Sequence, residues 1–461
     1  MAVLARAGVF AAAVFMAVAS ALAAPKYVFL FIGDGMSSPQ RKVAEEFSVK
    51  SGLGRLAMNH FPKQASTVTK SSNSIVTDSA AAATAIACGV RTVNGALGVT
   101  SDGKRVKSVA EIAKERGMKV GMISTVAVIH ATPAGFYAHR KSRGQHYEIA
   151  LDLIASGFNH FAGAGVFGRQ DDRRNPAYRG NIFELAEKAG YKVVFNRKGW
   201  TDLRPEEKSW SVFGEHSVGY DIDSDGKYPK LDEMLAKCIE LLDNPRGFFI
   251  MCEGGMIDYA GHANDAATNV RDTLALDNAV KVAVRFLERR PEETLIIVTG
   301  DHETGGMSMG FAGTGSRFDI ELLAKQKISV GAFSSIVKRM LKERNVSFED
   351  MKPLVSRYFG LETLLPQEEK ILAEAFAKDL ASSRAKVEDT THYMARRRYV
   401  FAAAVKNVLN ARAGVGWSTG SHTALPTLTT AKGAGEDILE GMTENVDIGV
   451  RLKRLLSDGS K

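Results

Sequence analysis

Cysteine is scarce in this sequence: Cys88, Cys238 and Cys252 are the only three in 461 residues. So odd and sparse a set argues against a disulfide framework, and none of the three sits in a metal-type Cys-x-x-Cys pair. Buried free thiols are the expected state. Long apolar runs are lacking outside the N-terminus, which leaves no further candidate for a membrane span. Blocks of one charge sign are missing as well. The formal net charge of +8 is spread along the chain, so no nucleic-acid-specific surface is expected. Internal repeats and low-complexity linkers are absent. What remains is a chain with 45% hydrophobic residues, ample for a sizeable core.

The N-terminus reads MAVLARAGVFAAAVFMAVASALA over residues 1–23. Arg6 precedes an apolar run from Ala7, and Ala21-Leu22-Ala23 offers a small-residue cleavage site. This is the pattern of a secretory signal peptide. The mature chain, 24–461, is therefore expected to be exported, periplasmic or secreted, with no membrane span of its own.

Short apolar runs that end in Gly, Asp or Glu recur: YVFLFIGD (27–34), KVGMIST (119–125), GFFIMCEGG (247–255) and TLIIVTGDH (294–302). Runs apolar on both faces suit strands of a parallel sheet covered by helices on either side. Helical patterns lie between them, at 106–116, 145–155, 183–189, 231–242 and 270–289. The alternation predicts an α/β fold: a three-layer sandwich with a large, mainly parallel central sheet flanked by helices. Residues 313–415 differ. They carry helical periodicity and many Lys, Arg and Glu without a clear strand run, and read as a helical insertion. In such sheets the functional site lies beyond the carboxyl ends of the strands, so polar residues just after the apolar runs matter most.

Asp34 follows the first run, where a carboxylate suits a hard cation or a turn. Ser79 opens the alanine-rich segment VTDSAAAATA (76–85). It is either a helix N-cap or a hydroxyl placed where the dipole and free N–H groups favour an anion. Glu253, Asp258 and His262 fall within EGGMIDYAGHAND (253–265). Asp258 and His262, four apart, would share a helix face as a zinc pair or a salt bridge. Asp301 and His302 follow the last run, and His422 lies in SHTALP (421–426). Carboxylates, imidazoles and a serine so often placed after buried strands point to a common metal-assisted site.

In order and spacing, FIGDGMSS (31–38), TDSAAAATA (77–85), STVAVIHATPAGFYAHRKSR (124–143), EGGMIDYAGH (253–262), GDHETGG (300–306) and GSHTALP (420–426) resemble the alkaline phosphatase family. The resemblance implies hydrolysis of small-molecule phosphate monoesters through a phosphoserine at Ser79. It implies two zinc ions, one on Asp258, His262 and His422 and one on Asp34, Asp301 and His302. A magnesium would be held by Asp34, Thr132 and Glu253. Arg143 would grip two phosphate oxygens with its planar fork, with Arg140 as the neighbouring alternative. Two positions depart from the enterobacterial pattern: His130 replaces Asp beside the magnesium-type site, and Tyr259 replaces Lys. Both are candidates to tune metal preference and phosphate affinity. A homodimer is the common state in the family.

The physics of the implied set is consistent. Asp34, Glu253, Asp258 and Asp301 would together carry −4 and repel a phosphate dianion. Three divalent ions turn that into +2, and entering and leaving oxygens both need such charge. Ser79 would need its alkoxide favoured to attack at neutral pH. The alternatives are a diester- or sulfate-cleaving relative, or a silent phosphate-binding protein. A further stretch, DIDSDGKYPKLD (221–232), has calcium-loop spacing at Asp221, Asp223, Asp225 and Asp232, but Asp-Gly runs are also ordinary turns.

Overall fold

The computed structural model describes residues 24–343, 346–384 and 400–458. The leader 1–23 lies outside the described residues.

Strands form at β1 (Tyr27–Gly33), β2 (Lys63–Thr67), β3 (Lys119–Ala127), β4 (His160–Ala164), β5 (Tyr191–Val194), β6 (Lys208–Val212), β7 (Phe248–Gly254) and β8 (Thr294–Gly300). Later come β9 (Glu303–Thr304), β10 (Met307–Met309), β11 (Val415–Trp417), β12 (His422–Thr423) and β13 (Thr427–Gly433). Nine of them make one sheet, in the order β2-β13-β8-β1-β7-β3-β4-β6-β5. β13 runs antiparallel to both β2 and β8. All other pairings in this sheet are parallel.

The central strand β1 explains the layering. Its side chains alternate between faces, as strand geometry requires. Tyr27, Phe29 and Phe31 enter one core, with the helices Leu231–Leu242 and Ala266–Arg289. Val28, Leu30 and Ile32 enter the other, with Ser79–Cys88, Val109–Glu115 and His146–Ser156. Apolar residues at every position therefore fill two cores, each fully buried side chain contributing about 1.5–3 kcal/mol. The sandwich expected from the sequence is the architecture observed.

Helix starts are set by caps. Ser108 and Glu111 form a capping box before Val109–Glu115. The long helix begins at Ala266, ahead of the apolar periodicity from 270, because the Asp265 side chain accepts from Thr268 N at 3.3 Å.

β10 and β11 pair antiparallel and bracket the helical stretch. Between them lie a 3₁₀ turn, Ile320–Lys325, and the helices Val330–Met340, Phe348–Phe359, Pro366–Arg384 and Val400–Ala413. Phe333, Phe359, Phe376 and Phe401 pack edge-to-face or tilted at their centre and join the core beneath. The arginine run 396–398 lies outside the described residues.

In residues 221–232, three of the carboxylates with calcium-loop spacing have other partners. Asp223 accepts from Ser329 N at 2.8 Å and from Ser329 Oγ, which anchors the helix Val330–Met340. Asp221 is engaged by Lys230 at 2.8 Å, and Asp225 accepts from Lys227 N in a local turn. Cys88, Cys238 and Cys252 are buried free thiols.

Candidate active site

The register of β1 on β8 pairs Gly33 with Gly300, so the residues that follow, Asp34 and Asp301, emerge side by side. Gly35 adopts φ +71°, and a Cβ there would come within 2.8 Å of Thr304 Oγ1 and 3.0 Å of Asp258 Oδ1. Only glycine allows that close approach. Its N–H donates to Asp301 Oδ1 at 3.0 Å, as does the N–H of His302 at 2.9 Å. Asp34 Oδ1 and Asp301 Oδ2 are buried without a hydrogen-bond partner.

Ser79 is the first residue of its helix, not the cap. The capping role belongs to Asp78, whose side chain accepts from Ala81 N at 2.9 Å. The Ser79 hydroxyl is thereby left for other partners and lies 3.2 Å from His302 Nε2. The alanines behind it are all buried. They let this helix sit against the turn Ala131–Ala134, where a Cβ on Gly135 would come within 2.7 Å of Ala83 Cβ.

Three imidazoles share one arrangement. His262 Nδ1 donates to Gly420 O at 2.7 Å, and its Nε2 faces Asp258 Oδ2 at 3.3 Å. His422 Nδ1 donates to Thr77 O at 3.0 Å, and its Nε2 faces Asp258 Oδ1 at 3.6 Å. His302 Nδ1 meets Thr304 Oγ1 at 3.3 Å, while Nε2 lies 3.4 Å from Asp34 and 3.2 Å from Asp301. In each ring the outer nitrogen is tied down and Nε2 points at carboxylates. Metal-binding histidines are oriented in this way.

A third group forms beside Asp34. Its carboxylate, His130 and Glu253 converge, and Thr132 Oγ1 approaches Asp34 Oδ2 at 3.5 Å. Glu253 is anchored by the Ser124 hydroxyl, and its other oxygen has no partner. The Tyr259 ring meets His130 edge-on at 6.2 Å. Arg143 donates to Asp78 Oδ2 at 3.2 Å and to His130 Nε2 at 2.9 Å. Arg140 is held instead by Asp152 and does not join the cluster.

Burial dominates the electrostatics. It pushes the Asp34 and Asp301 carboxyls well above their ordinary range, with repulsion from neighbouring carboxylates adding to it. Burial raises Glu253 to about 7. It also lowers His302 well below its usual value, and with Arg143 it lowers His130 to about 3. Asp258 goes the other way: burial opposes its ionisation, but the His262 hydrogen bond and the surrounding imidazoles outweigh it and hold the carboxyl low. Carboxylates packed this closely call for added positive charge. The residue groups that could hold a cation are Asp258 with His302 and His422, Asp34 with Asp301 and His302, and Asp34 with His130 and Glu253. Their donor set, carboxylate plus imidazole, suits divalent metals, and the orphaned oxygens fit the same demand.

The first of these groups differs from the implied set, since His302 joins Asp258 and His422 while His262 stands at its edge. Four contributors are not apparent from the sequence. Thr304 donates to Asp258 Oδ1. Buried Glu303 accepts from Gln40, Gly306 and Thr423. Asp78 and Ser124 hold Arg143 and Glu253. A Thr or Glu next to Asp-His was the available signal for the first two; nothing local marks Ser124.

The chain is similar to known proteins over most of its length. The sequence profile of the alkaline phosphatase family matches residues 25–457. Alkaline phosphatase 3 of Bacillus subtilis is 28% identical over 94% of this chain and 89% of its own length. Alkaline phosphatase 4 of the same organism is 28% identical over 83% of this chain and 77% of its own. The crystal structure of a cold-active alkaline phosphatase from Shewanella sp. superposes with a TM-score of 0.78 at 27% identity, covering 93% of this chain and 99% of that one. By its profile match, its relatives and its fold, the chain belongs to the alkaline phosphatase family and is a phosphomonoester hydrolase.

Proposed function

We propose that this hydrolase cleaves phosphate monoesters through the Ser79 hydroxyl, forming a phosphoserine that water then hydrolyses to inorganic phosphate and regenerated serine. The observation that carries this reading is the position of Ser79 Oγ: at a helix N-terminus, 3.2 Å from His302 and beside the clustered carboxylates. The helix dipole and the first free N–H groups favour a phosphoryl group there. Arg143, braced by Asp78 and His130, would orient two phosphate oxygens so that the ester oxygen leaves opposite Ser79.

The family is metal-dependent, and the residues present fit that demand. We assign one zinc to Asp258, His262 and His422, with a second on Asp34, Asp301 and His302. Magnesium would be held by Asp34, Thr132 and Glu253, with His130 at the edge of that group. When bound, these ions supply positive charge at the entering and leaving oxygens and favour ionised oxygen nucleophiles at neutral pH. The chain's own residues fix the rest. The tethered Nδ1 atoms keep each Nε2 aimed inward, and Tyr259 contributes no positive charge toward phosphate.

Residues 24–461 form the catalytic domain in this reading, with 313–415 as its helical insertion. Export through the 1–23 leader and a homodimer complete the proposal. Among the described residues no helix is long and apolar enough to cross a membrane. Nitrophenyl phosphate, bis-nitrophenyl phosphate and nitrophenyl sulfate assayed side by side test the substrate class. Strong preference for the monoester is expected; preference for the diester or sulfate would overturn it.

A further inference from the structure

Asn264 follows His262 by two residues and adopts φ +50°, one of two described non-glycine residues in the left-handed region. Asn tolerates that region better than most residues. Its side-chain amide donates to Gly261 O at 3.0 Å and to Thr419 O at 2.8 Å. Gly261 directly precedes His262; Thr419 and Gly420 lead into His422. One amide thus ties together the two backbone segments that present these imidazoles. The His262 Nδ1–Gly420 O hydrogen bond lies between the same two segments.

The turn is also held from outside. Lys406 Nζ donates to Ala263 O at 2.9 Å, and Asn410 Nδ2 donates to Asn264 O at 2.7 Å. Both come from the helix Val400–Ala413, where Lys406 and Asn410, four apart, share one face. Asp265 accepts from Gln326 Nε2 at 2.8 Å and Val330 N at 2.7 Å. Every one of these outer donors belongs to the stretch between β10 and β11.

We propose that Asn264 is a positioning residue that sets the spacing of His262 and His422, and that the helical stretch completes this half of the site by gripping the 263–265 turn. The inference rests on the reading of His262 and His422 as ligands of one zinc. It gives the helical stretch a task in the site without contact to substrate. Groups that orient metal ligands are worth 10–100-fold in metal affinity when removed, as an order of magnitude.

The test is zinc uptake by metal-stripped full-length protein against a competing chelator. It compares the wild type with Asn264→Asp, Asn264→Gly and Asn410→Ala. Asp keeps the shape but cannot donate; Gly keeps the left-handed backbone and removes the amide. One class of zinc should weaken roughly 10- to 100-fold in both Asn264 variants and by less in Asn410→Ala, in that same class. The remaining class should stay within about twofold. Unchanged affinity in every class, or an equal loss in all of them, overturns the inference. A wild type that takes up no zinc sinks the assignment of the ligands themselves, and this inference with it.

Discussion

Arg143 donates from Nη2 to Nε2 of His130 at 2.9 Å. A guanidinium can only donate, so Nε2 accepts and the ring proton sits on Nδ1, facing Asp34 Oδ2 at 3.9 Å. Arg143 is thus poised between a carboxylate, Asp78, and a neutral imidazole. Arg143→Ala should lower kcat/KM for a nitrophenyl monoester by about 2 kcal/mol, or roughly 30-fold, the scale of lost charged hydrogen bonds. Arg143→Lys should recover only part, because a point charge lacks the fork. His130→Gln should fall between wild type and Arg143→Ala. Steady-state kinetics decides, and equal values for Arg143→Ala and wild type would exclude a phosphate clamp.

Ser79→Ala should reduce kcat by roughly 10³- to 10⁶-fold, as losses of a nucleophile do. Bound metal, measured by elemental analysis, should be unchanged. Quenching wild-type turnover of labelled ester in acid should leave label on Ser79. Label on another residue would redirect the assignment.

Tyr259→Lys tests the second departure from the enterobacterial pattern. The Tyr259 ring lies edge-on to His130, and its phenol is held neutral as burial raises its pKa. A lysine would bring a positive charge toward phosphate. The inhibition constant for inorganic phosphate should fall by about 3- to 10-fold, with slower product release. An unchanged constant would refute the idea.

Acid stability should depend on Glu111. Burial works against its ionisation, but hydrogen bonds from His139 and Ser108 outweigh it and lower the carboxyl to about 2. A depressed carboxyl stabilises the fold above its unfolded value, and the contribution is lost as pH falls through the folded value. Thermal melts between pH 5 and 2.5 should therefore steepen downward in the wild type and flatten in Glu111→Gln. Parallel curves would show that the pair contributes nothing measurable.

Much of this protein was legible in its sequence. The apolar runs at 27–34, 247–255 and 294–302 predicted buried parallel strands because only a doubly covered sheet accommodates apolar residues on both faces. The same runs pointed to Asp34, Glu253, Asp301 and His302, because a strand end is where a sheet can present polar groups. Ser79 was ambiguous in sequence, since a serine before an alanine-rich helix is as good a cap as a nucleophile. Only the fold gave the cap to Asp78 and set the Ser79 hydroxyl beside His302. Likewise, calcium-loop spacing at 221–232 said nothing about Ser329, which engages Asp223 from about a hundred residues along the chain.

The sequence by itself determined the layered α/β architecture and the side chains available for chemistry, since both follow from local periodicity and residue type. Tertiary structure alone decided their spacing. The β1–β8 register, the glycine-enforced approach at Gly35 and the Asn264 link between the His262 and His422 segments join residues far apart in the chain. Contacts of that kind depend on how packed elements meet, and no local pattern encodes them.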